Sequence, residues 1–153
     1  MELCPLLPSE LGSAAEQGEI DAGPLPLVDC FRLEDRFQPV GGFCIATTEE
    51  SGADFLYSKV PIEELGGARV GVLAEAATTP ELLRVLLQLK YQLDPVEYVD
   101  LEEPHDAFLL SGNRALRQRR GARGFPHKYD LGAEWNSWTQ LPFVYSRWMV
   151  RND

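Results

Sequence analysis

The sequence predicts an α/β protein whose strands lie in largely parallel sheets. Short apolar segments alternate with amphipathic segments along the chain, and eleven prolines and thirteen glycines provide many short connections between them. Such alternation is typical of parallel strands joined by helical crossovers. With 44% hydrophobic and 25% charged residues, the composition is that of a globular protein. The 153 residues suffice for one ordinary domain or two small lobes.

Helices are predicted where apolar residues recur at three- or four-residue spacing. The clearest is 80–91, in which four leucines share one face, with Thr79 as the N-cap and Pro80 in the first turn. A second well-marked helix follows Asp130 as N-cap and carries Trp135 and Trp138 one turn apart. Further helices are predicted at 8–18, 28–33 and 113–120, with a helical turn at 61–65.

Strands are predicted at the short apolar segments 21–27, 43–46, 55–58, 70–73, 96–101, 107–111 and 143–150. Segment 43–46 follows a chain break at Gly41-Gly42 and is expected to be buried. The last segment is apolar on both of its faces, which also predicts a buried strand. The three tryptophans, which include Trp148, are expected in the core because aromatic rings anchor packed elements well.

The net charge of −10 argues against a nucleic acid or an anionic membrane surface as partner. An anionic ligand would need local hydrogen-bond donors. No apolar stretch approaches membrane-spanning length, and no basic segment precedes an apolar run at the N-terminus, so we expect a cytoplasmic protein. The three cysteines are widely spaced, and neither His105 nor His127 lies near them in sequence. We therefore expect free thiols, no metal site and no cofactor.

Six stretches carry a resemblance to a known family: 18–23, 31–35, 58–61, 82–87, 113–116, and 129–132 continuing through Trp135 to 141–144. The last stretch is the most specific, because aromatic, glycine and proline positions recur together within sixteen residues. Their order and spacing resemble the chorismate dehydratases of the futalosine route to menaquinone. The resemblance extends over nearly the whole chain.

The resemblance implies a two-lobed fold of the periplasmic-binding-protein type (type II), with ligand held between the lobes. Residues 1–46 and 141–153 would form the first lobe, which would be incomplete, and 47–140 the second. The implied reaction is conversion of chorismate to 3-[(1-carboxyvinyl)oxy]benzoate and water by a carbon–oxygen lyase. Family members have a further N-terminal strand and C-terminal helices, so we expect little activity from this chain alone. Self-association or a complementing chain is expected.

The substrate of that reaction is a dicarboxylate, so its site needs donors facing anions. Thr78 and Thr79 lie between a strand and a helix N-terminus, which favours carboxylates, although plain N-capping by Thr79 has the stronger local signature. Ser58 matches a strand-ending serine of the family, and a solvated strand end is the alternative. At position 53 the family's serine is replaced by alanine, so a donor is lost there.

Asn113 matches a position where family members commonly have Asp, and it suits a helix N-cap equally well. Asparagine cannot act as a general base, so no role in proton transfer is predicted at this position. Leu25 and Pro26 match a loop of the family that faces the ligand. The arginines between 114 and 123 form either a solvated helix face or a surface that recruits anions.

No Ser-His-Asp, Cys-His, phosphate-loop or paired-carboxylate pattern is present, so the catalytic residues cannot be assigned from sequence. Three hypotheses follow. The first is a chorismate dehydratase; the second is a non-catalytic module that binds small carboxylates, favoured by Ala53 and Asn113; the third is a fragment without function of its own.

Overall fold

The computed structural model describes residues 2–74 and 76–152, and the chain divides into two compact units. The first unit comprises Met1–Ala46, Glu75–Thr78 and Val144–Asp153, and the second comprises Thr47–Ala74 and Thr79–Phe143. The first is therefore built from three separate chain segments. The assignment of residues 1–46 and 141–153 to one lobe, and of 47–140 to the other, stays a prediction.

The five predicted helices are all found within the described residues. They are α1 (Pro8–Gln17), α2 (Leu27–Arg32), α3 (Thr78–Val85), α4 (Gly112–Gln118) and α5 (Leu131–Thr139). Helix α3 continues as one π-helical segment, Leu86–Lys90, and the predicted turn is a 3₁₀ helix at Ile62–Glu64. No helix in the described part of the chain is long and apolar enough to cross a membrane.

Eight strands are found in the described part of the chain, one more than predicted. They are β1 (Ala22–Pro26), β2 (Phe37–Thr47), β3 (Asp54–Ser58), β4 (Arg69–Val72), β5 (Glu97–Asp100), β6 (Ala107–Ser111), β7 (His127–Asp130) and β8 (Phe143–Arg151). The additional strand is β7. It escaped prediction because only one of its four residues, Tyr129, is a large apolar one.

The first unit has a three-stranded sheet in the order β1-β8-β2, in which β1 and β8 are antiparallel. Its core contains residues from both helices and all three strands: Ala14, Ala15, Ile20, Leu25, Cys30, Leu33, Phe37 and Met149. Because β8 lies between β1 and β2, the sheet depends on a strand from the far end of the sequence.

Strand β2 corrects two predictions. It runs without a break through Gly41-Gly42, and the segment 43–46 is exposed rather than buried, with Phe43 69% and Ile45 58% accessible. Residues 38–46 of β2 are exposed on both faces of the strand, and β2 lies at an edge of the sheet. An apolar run by itself does not distinguish this from a central strand.

The second unit has a five-stranded sheet in the order β5-β4-β6-β3-β7. Strand β4 is parallel to β5 and β6, whereas β3 is antiparallel to both β6 and β7. The expectation of largely parallel sheets was therefore wrong, since element alternation predicts which elements occur but not the direction of each strand. Because β3 is reversed, its first residue lies at the edge where β4, β6 and β7 end.

The tryptophans were expected in the core, and this was wrong for two of them. Trp135 is half-buried, donates from its indole nitrogen to the Pro142 carbonyl at 3.2 Å, and stacks edge-on against Phe143. Trp138 and Trp148 are exposed. Helical spacing correctly placed Trp135 and Trp138 on one face of α5, where their ring centroids lie 5.9 Å apart. This face of the helix is only partly buried.

Candidate functional site

Three side chains from three different elements form a hydrogen-bonded chain at the carboxyl edge of the second unit's sheet. The Ser111 hydroxyl, at the end of β6, donates to Thr79 Oγ1 at 3.1 Å. The Thr79 hydroxyl, in the first turn of α3, donates to Asp54 Oδ1 at 3.1 Å. Thr79 is buried, while Asp54 and Ser111 are half-buried. Ligands of open α/β sheets bind outside the carboxyl ends of the strands, so this is the candidate site.

The register of β3 brings these residues together. Asp54 and Ser111 are direct partners across the antiparallel β3–β6 pair, and the Gly112 amide donates to the Ala53 carbonyl at 2.7 Å. Gly112 has a φ of 58°, a left-handed conformation that glycine adopts without strain. This turn lets α4 begin directly after β6.

Asp130 fixes the loop that precedes Asp54. Its carboxylate accepts hydrogen bonds from the Ser51 amide at 2.9 Å, the Ser51 hydroxyl at 3.0 Å, the Gly52 amide at 2.7 Å and the Ala133 amide at 3.0 Å. The bond from Ala133 is the N-cap of α5, so this predicted cap is confirmed. The bonds from Ser51 and Gly52 join a segment 79 residues away to the same carboxylate.

Two further contacts tighten this loop. The Ser51 hydroxyl oxygen accepts from the Asp54 amide at 2.9 Å and from the Ala53 amide at 3.2 Å. At Gly132 a Cβ atom would lie 2.7 Å from the Ser51 nitrogen, closer than atoms can approach. Glycine at position 132 therefore allows α5 to pack against the loop, and the loop in turn sets the position of Asp54.

The start of α3 differs from the prediction. The helix begins at Thr78, so Thr79 lies inside the first turn and is not the N-cap; its side chain reaches across to Asp54 instead. Pro80 is in the first turn, as predicted. Within the first unit, the Thr78 hydroxyl donates to the Tyr145 carbonyl at 3.2 Å. Both threonine protons are thus directed to protein acceptors.

Two other contacts hold the first turn of α3. The Tyr98 hydroxyl donates to the Pro80 carbonyl at 2.5 Å, and burial raises the pKa of Tyr98 well above its usual range. Glu81 pairs with Arg84 at 3.3 Å, which offsets the negative charge near the helix N-terminus.

Asn113 lies at the same edge but has a different role from the N-cap that was considered. Helix α4 begins at Gly112 and Ser111 is the N-cap residue, so Asn113 is in the first turn, with an exposed side chain. It is two residues from Ser111, and a ligand contact there stays a prediction. The arginines that follow, at 114, 117, 119, 120 and 123, are all exposed, and recruitment of anions by them stays a prediction.

Ser58 is not brought together with the other candidates. It is fully buried at the far end of β3, opposite Ala107 and His127, whereas Asp54 at the near end faces Ser111. Asp54 and Ser58 are four residue steps apart along the strand, a separation of about 13 Å. The Ser58 hydroxyl accepts from the Val60 amide at 3.2 Å, which closes a local turn.

Leu25 and Pro26 were expected in a loop that faces the ligand, and the structure places them elsewhere. Both belong to strand β1 and both are buried. The Leu25 side chain is fully buried in the core of the first unit, and its carbonyl accepts from the Cys30 thiol at 3.4 Å. The side chain of Leu25 is therefore used for packing.

Sequence reasoning missed Asp54, Ser51 and Ser111. Ser111 could have been found, because it ends the predicted strand 107–111 and residues at strand ends are the usual ligand contacts. Asp54 begins a strand, and only the antiparallel direction of β3 brings it to this edge. No group of three or more His, Cys, Asp or Glu side chains within residues 2–74 and 76–152 is placed to hold a metal ion.

This fold defines the class of the protein. It is similar to protein AF1704 from Archaeoglobus fulgidus, with a TM-score of 0.69 at 18% identity, covering 99% of this chain and 57% of that one. It is also similar to the periplasmic aliphatic sulphonate binding protein SsuA from Escherichia coli, with a TM-score of 0.57 at 14% identity, covering 94% and 52%. The chain thus has a periplasmic-binding-protein-like α/β fold and spans just over half the length of these structures.

The family is narrower than the fold. A family model described as menaquinone biosynthesis matches residues 1–153, and the chain belongs to this family.

Proposed function

We propose that this protein acts in the cytoplasm as a chorismate dehydratase of menaquinone biosynthesis, forming 3-[(1-carboxyvinyl)oxy]benzoate and water. The family match over the whole chain supports this proposal most directly, because it assigns the pathway. The reaction is the one implied by the sequence motifs at 58–61, 113–116 and 129–144. The candidate site lies at the sheet edge where ligands of such folds bind.

The site offers two kinds of group to a dicarboxylate. The N-terminus of α3 carries a partial positive charge, and the amides of a first helical turn have no partner within the helix, which favours a carboxylate, although Pro80 contributes no amide. The Thr79 hydroxyl already donates to Asp54, so backbone amides rather than this hydroxyl would face the anion. Glu81 repels an anion less than an isolated carboxylate would, because Arg84 pairs with it.

A second candidate function is a non-catalytic module that binds small carboxylates. Asn113 favours it, because an amide cannot take a proton from the substrate. Ala53, which removes a hydroxyl from the loop before Asp54, favours it as well. The two candidates share a ligand class and differ in whether the ligand is converted.

Chorismate binding and product formation, measured separately, test the proposal. We expect the 153-residue chain to bind chorismate weakly, with Kd about 1 mM or about −4 kcal/mol, by calorimetry. Turnover of the chain alone should be near background. When the chain is joined to, or mixed with, the remaining segments of the AF1704 fold, chromatography should show product.

The controls separate the candidates. Thr78→Val with Thr79→Val should weaken binding indirectly, because it removes the hydrogen bonds to the Tyr145 carbonyl and to Asp54 that position the first turn of α3. Thr139→Val should not weaken binding, because Thr139 lies in α5 and bonds the Trp135 carbonyl. If both the chain alone and the chain supplemented with the remaining segments bind chorismate without forming product, the non-catalytic module is favoured. If neither binds chorismate, the proposal is overturned.

A further inference from the structure

Positive charge is concentrated in one segment of the second unit. Residues 107–129 hold six of the chain's fourteen lysines and arginines and none of its 24 aspartates and glutamates. The rest of the chain has eight basic side chains against those 24 acidic ones, so a net charge of −16 surrounds the segment. A surface of one sign attracts partners of the other sign, and here the surface is opposite in sign to the whole molecule.

Four arginines of this segment are not used to hold the chain together. The side chains at 117, 119, 120 and 123 are exposed, and they make no ion pair or hydrogen bond within residues 2–74 and 76–152. By contrast, the arginines at 32, 69, 84 and 151 each pair with a carboxylate of the chain. Arg117 lies in the last turn of α4, where a cation also favours the helix dipole, and the other three follow the last helical residue.

The backbone that carries these arginines is fixed by contacts with the sheet. The Gln118 carbonyl accepts from the Tyr57 hydroxyl at 2.9 Å, and the Gln118 side chain donates to the Gly121 carbonyl at 2.9 Å. Phe125 packs edge-on against Phe108, with ring centroids 4.8 Å apart, and anchors the end of the segment. A partner would therefore meet an ordered backbone, and only side chains would have to be arranged on binding, which lowers the entropic cost.

The segment extends away from the candidate site. Phe125 stacks on His105 with ring centroids 5.6 Å apart, and Lys59 Nζ lies 5.6 Å from the centre of the Phe125 ring. Lys59 follows Ser58, at the end of β3 that is opposite to Asp54. A partner on this segment would thus reach the other edge of the sheet from the one where a ligand is expected.

We propose that the arginines at 117, 119, 120 and 123 form a docking surface for a short acidic segment of another protein. Guanidinium groups pair with carboxylates in a bidentate geometry. The four lie along the end of α4 and the turn after it, so a single small anion would reach only one or two of them. Carboxylates spaced along a polypeptide can meet all four.

The charge of the surrounding chain limits the length of the partner. A nucleic acid or an anionic membrane would extend beyond the segment and be repelled by the acidic remainder of the molecule. A short acidic segment contacts the arginines alone, and at physiological ionic strength charges farther away than about 8 Å are largely screened. This inference is independent of the proposed function.

Fluorescence anisotropy with a labelled octaglutamate peptide tests the surface in the full 153-residue chain. We expect binding that weakens about tenfold between low salt and physiological salt, because exposed charges are screened. An exposed ion pair contributes about twofold in affinity, so four changes together should weaken binding about tenfold. The variant is Arg117→Gln, Arg119→Gln, Arg120→Gln and Arg123→Gln. It should fold normally because all four side chains are exposed, and lysine at the same four positions should retain most of the affinity.

The control variant removes the same number of charges elsewhere on the surface. It is Arg32→Gln, Arg36→Gln, Arg84→Gln and Arg151→Gln, and it should bind the peptide within about twofold of wild type, since distant charges are screened. Equal weakening in both variants would overturn the proposal, because net charge alone would then explain binding.

Three further results would also overturn it. The first is absence of peptide binding at low salt. The second is tighter binding to a thymidine oligonucleotide, or to vesicles of phosphatidylglycerol and phosphatidylcholine, than to the peptide. The third is a shift toward monomer in sedimentation of the first variant alone, which would give the surface to a second copy of this chain.

Discussion

Asp130 accepts hydrogen bonds from two separate parts of the chain, and this makes it more than a helix cap. An asparagine at this position would keep the size of the side chain, but one of its two polar atoms would be a donor facing the amide and hydroxyl donors of Ser51 and Gly52. We expect Asp130→Asn to lower the free energy of unfolding by about 2–3 kcal/mol, because hydrogen bonds to a charged acceptor are lost. Urea denaturation measures this.

Asp100→Asn is the control for that variant. Asp100 is exposed and accepts one local hydrogen bond, from the Glu102 amide at 2.9 Å, so we expect a loss below about 1 kcal/mol. Equal losses in the two variants would show that the connection from Asp130 to the loop at 51–52 contributes nothing beyond a local turn.

Because of Cys30, we expect the free energy of unfolding to depend on pH in the alkaline range. The side chain is buried, and this burial raises the pKa of the Cys30 thiol above 9.0. The folded-state pKa is thus higher than the unfolded one. The stabilising contribution is fully present below about pH 9 and is lost as the pH rises through the folded-state value.

We therefore expect the free energy of unfolding to fall less steeply between pH 8 and 10.5 in Cys30→Ala than in wild type. Denaturation at several pH values measures the slope. Cys4→Ala should keep the wild-type slope, since Cys4 is exposed. The account is wrong if Cys30→Ala and wild type lose stability in parallel.

Among the elements, α5 and the π-helical end of α3 are joined by a polar cluster around Glu134. Its carboxylate lies 2.5 Å from Lys90 Nζ and accepts from the Tyr91 hydroxyl at 2.5 Å; the ammonium also donates to the Glu134 carbonyl and to Ser137. Burial and the bond to Glu134 raise the pKa of Tyr91 well above its usual range. Single π-helical turns within α-helices are frequently found at functional sites.

We expect Glu134→Gln to lower the free energy of unfolding by about 1–3 kcal/mol, because the largely buried Lys90 ammonium would lose its counter-charge. Glu97→Gln makes the same chemical change in the same unit. Glu97 is exposed and lies 3.4 Å from Arg69, so its loss should be within about 1 kcal/mol. Thermal denaturation compares the two, and a smaller effect for Glu134 than for Glu97 would contradict the assignment.

The helices and most of the strands were predictable, because apolar spacing and cap residues such as Asp130 are local signals. Strand direction was not, since it depends on which strands pair across the sheet. This one feature explains the main errors about the site. The reversed β3 moved Ser58 to the far edge and brought Asp54, which has no distinguishing local pattern, to the near one. The expected burial of 43–46 was wrong for a related reason, because an apolar run does not show whether other elements pack on the faces of the strand.

For the whole molecule, the exposed apolar residues of β2 predict self-association. Phe43 and Ile45 are largely accessible on an edge strand, and such edges tend to pair with another chain. We expect sedimentation at high concentration to show species larger than the 17.1 kDa monomer. Phe43→Ser with Ile45→Thr should shift the distribution toward monomer.

Leu89→Ser is the control for exposed apolar area, because Leu89 is 62% accessible but lies in the π-helical segment of the second unit. It should leave self-association unchanged. A wild-type chain that stays monomeric at high concentration would contradict the prediction directly.

The position of β8 in the middle of the first sheet has a consequence for synthesis of the chain on the ribosome. Strands β1 and β2 are made early, but neither is the neighbour of the other, and both pair with β8 at Phe143–Arg151. The second unit, by contrast, lies entirely between Thr47 and Phe143. Domains that are complete in the emerged chain can fold first. The second unit should therefore fold before the first 46 residues can pair with β8, the central strand of their sheet.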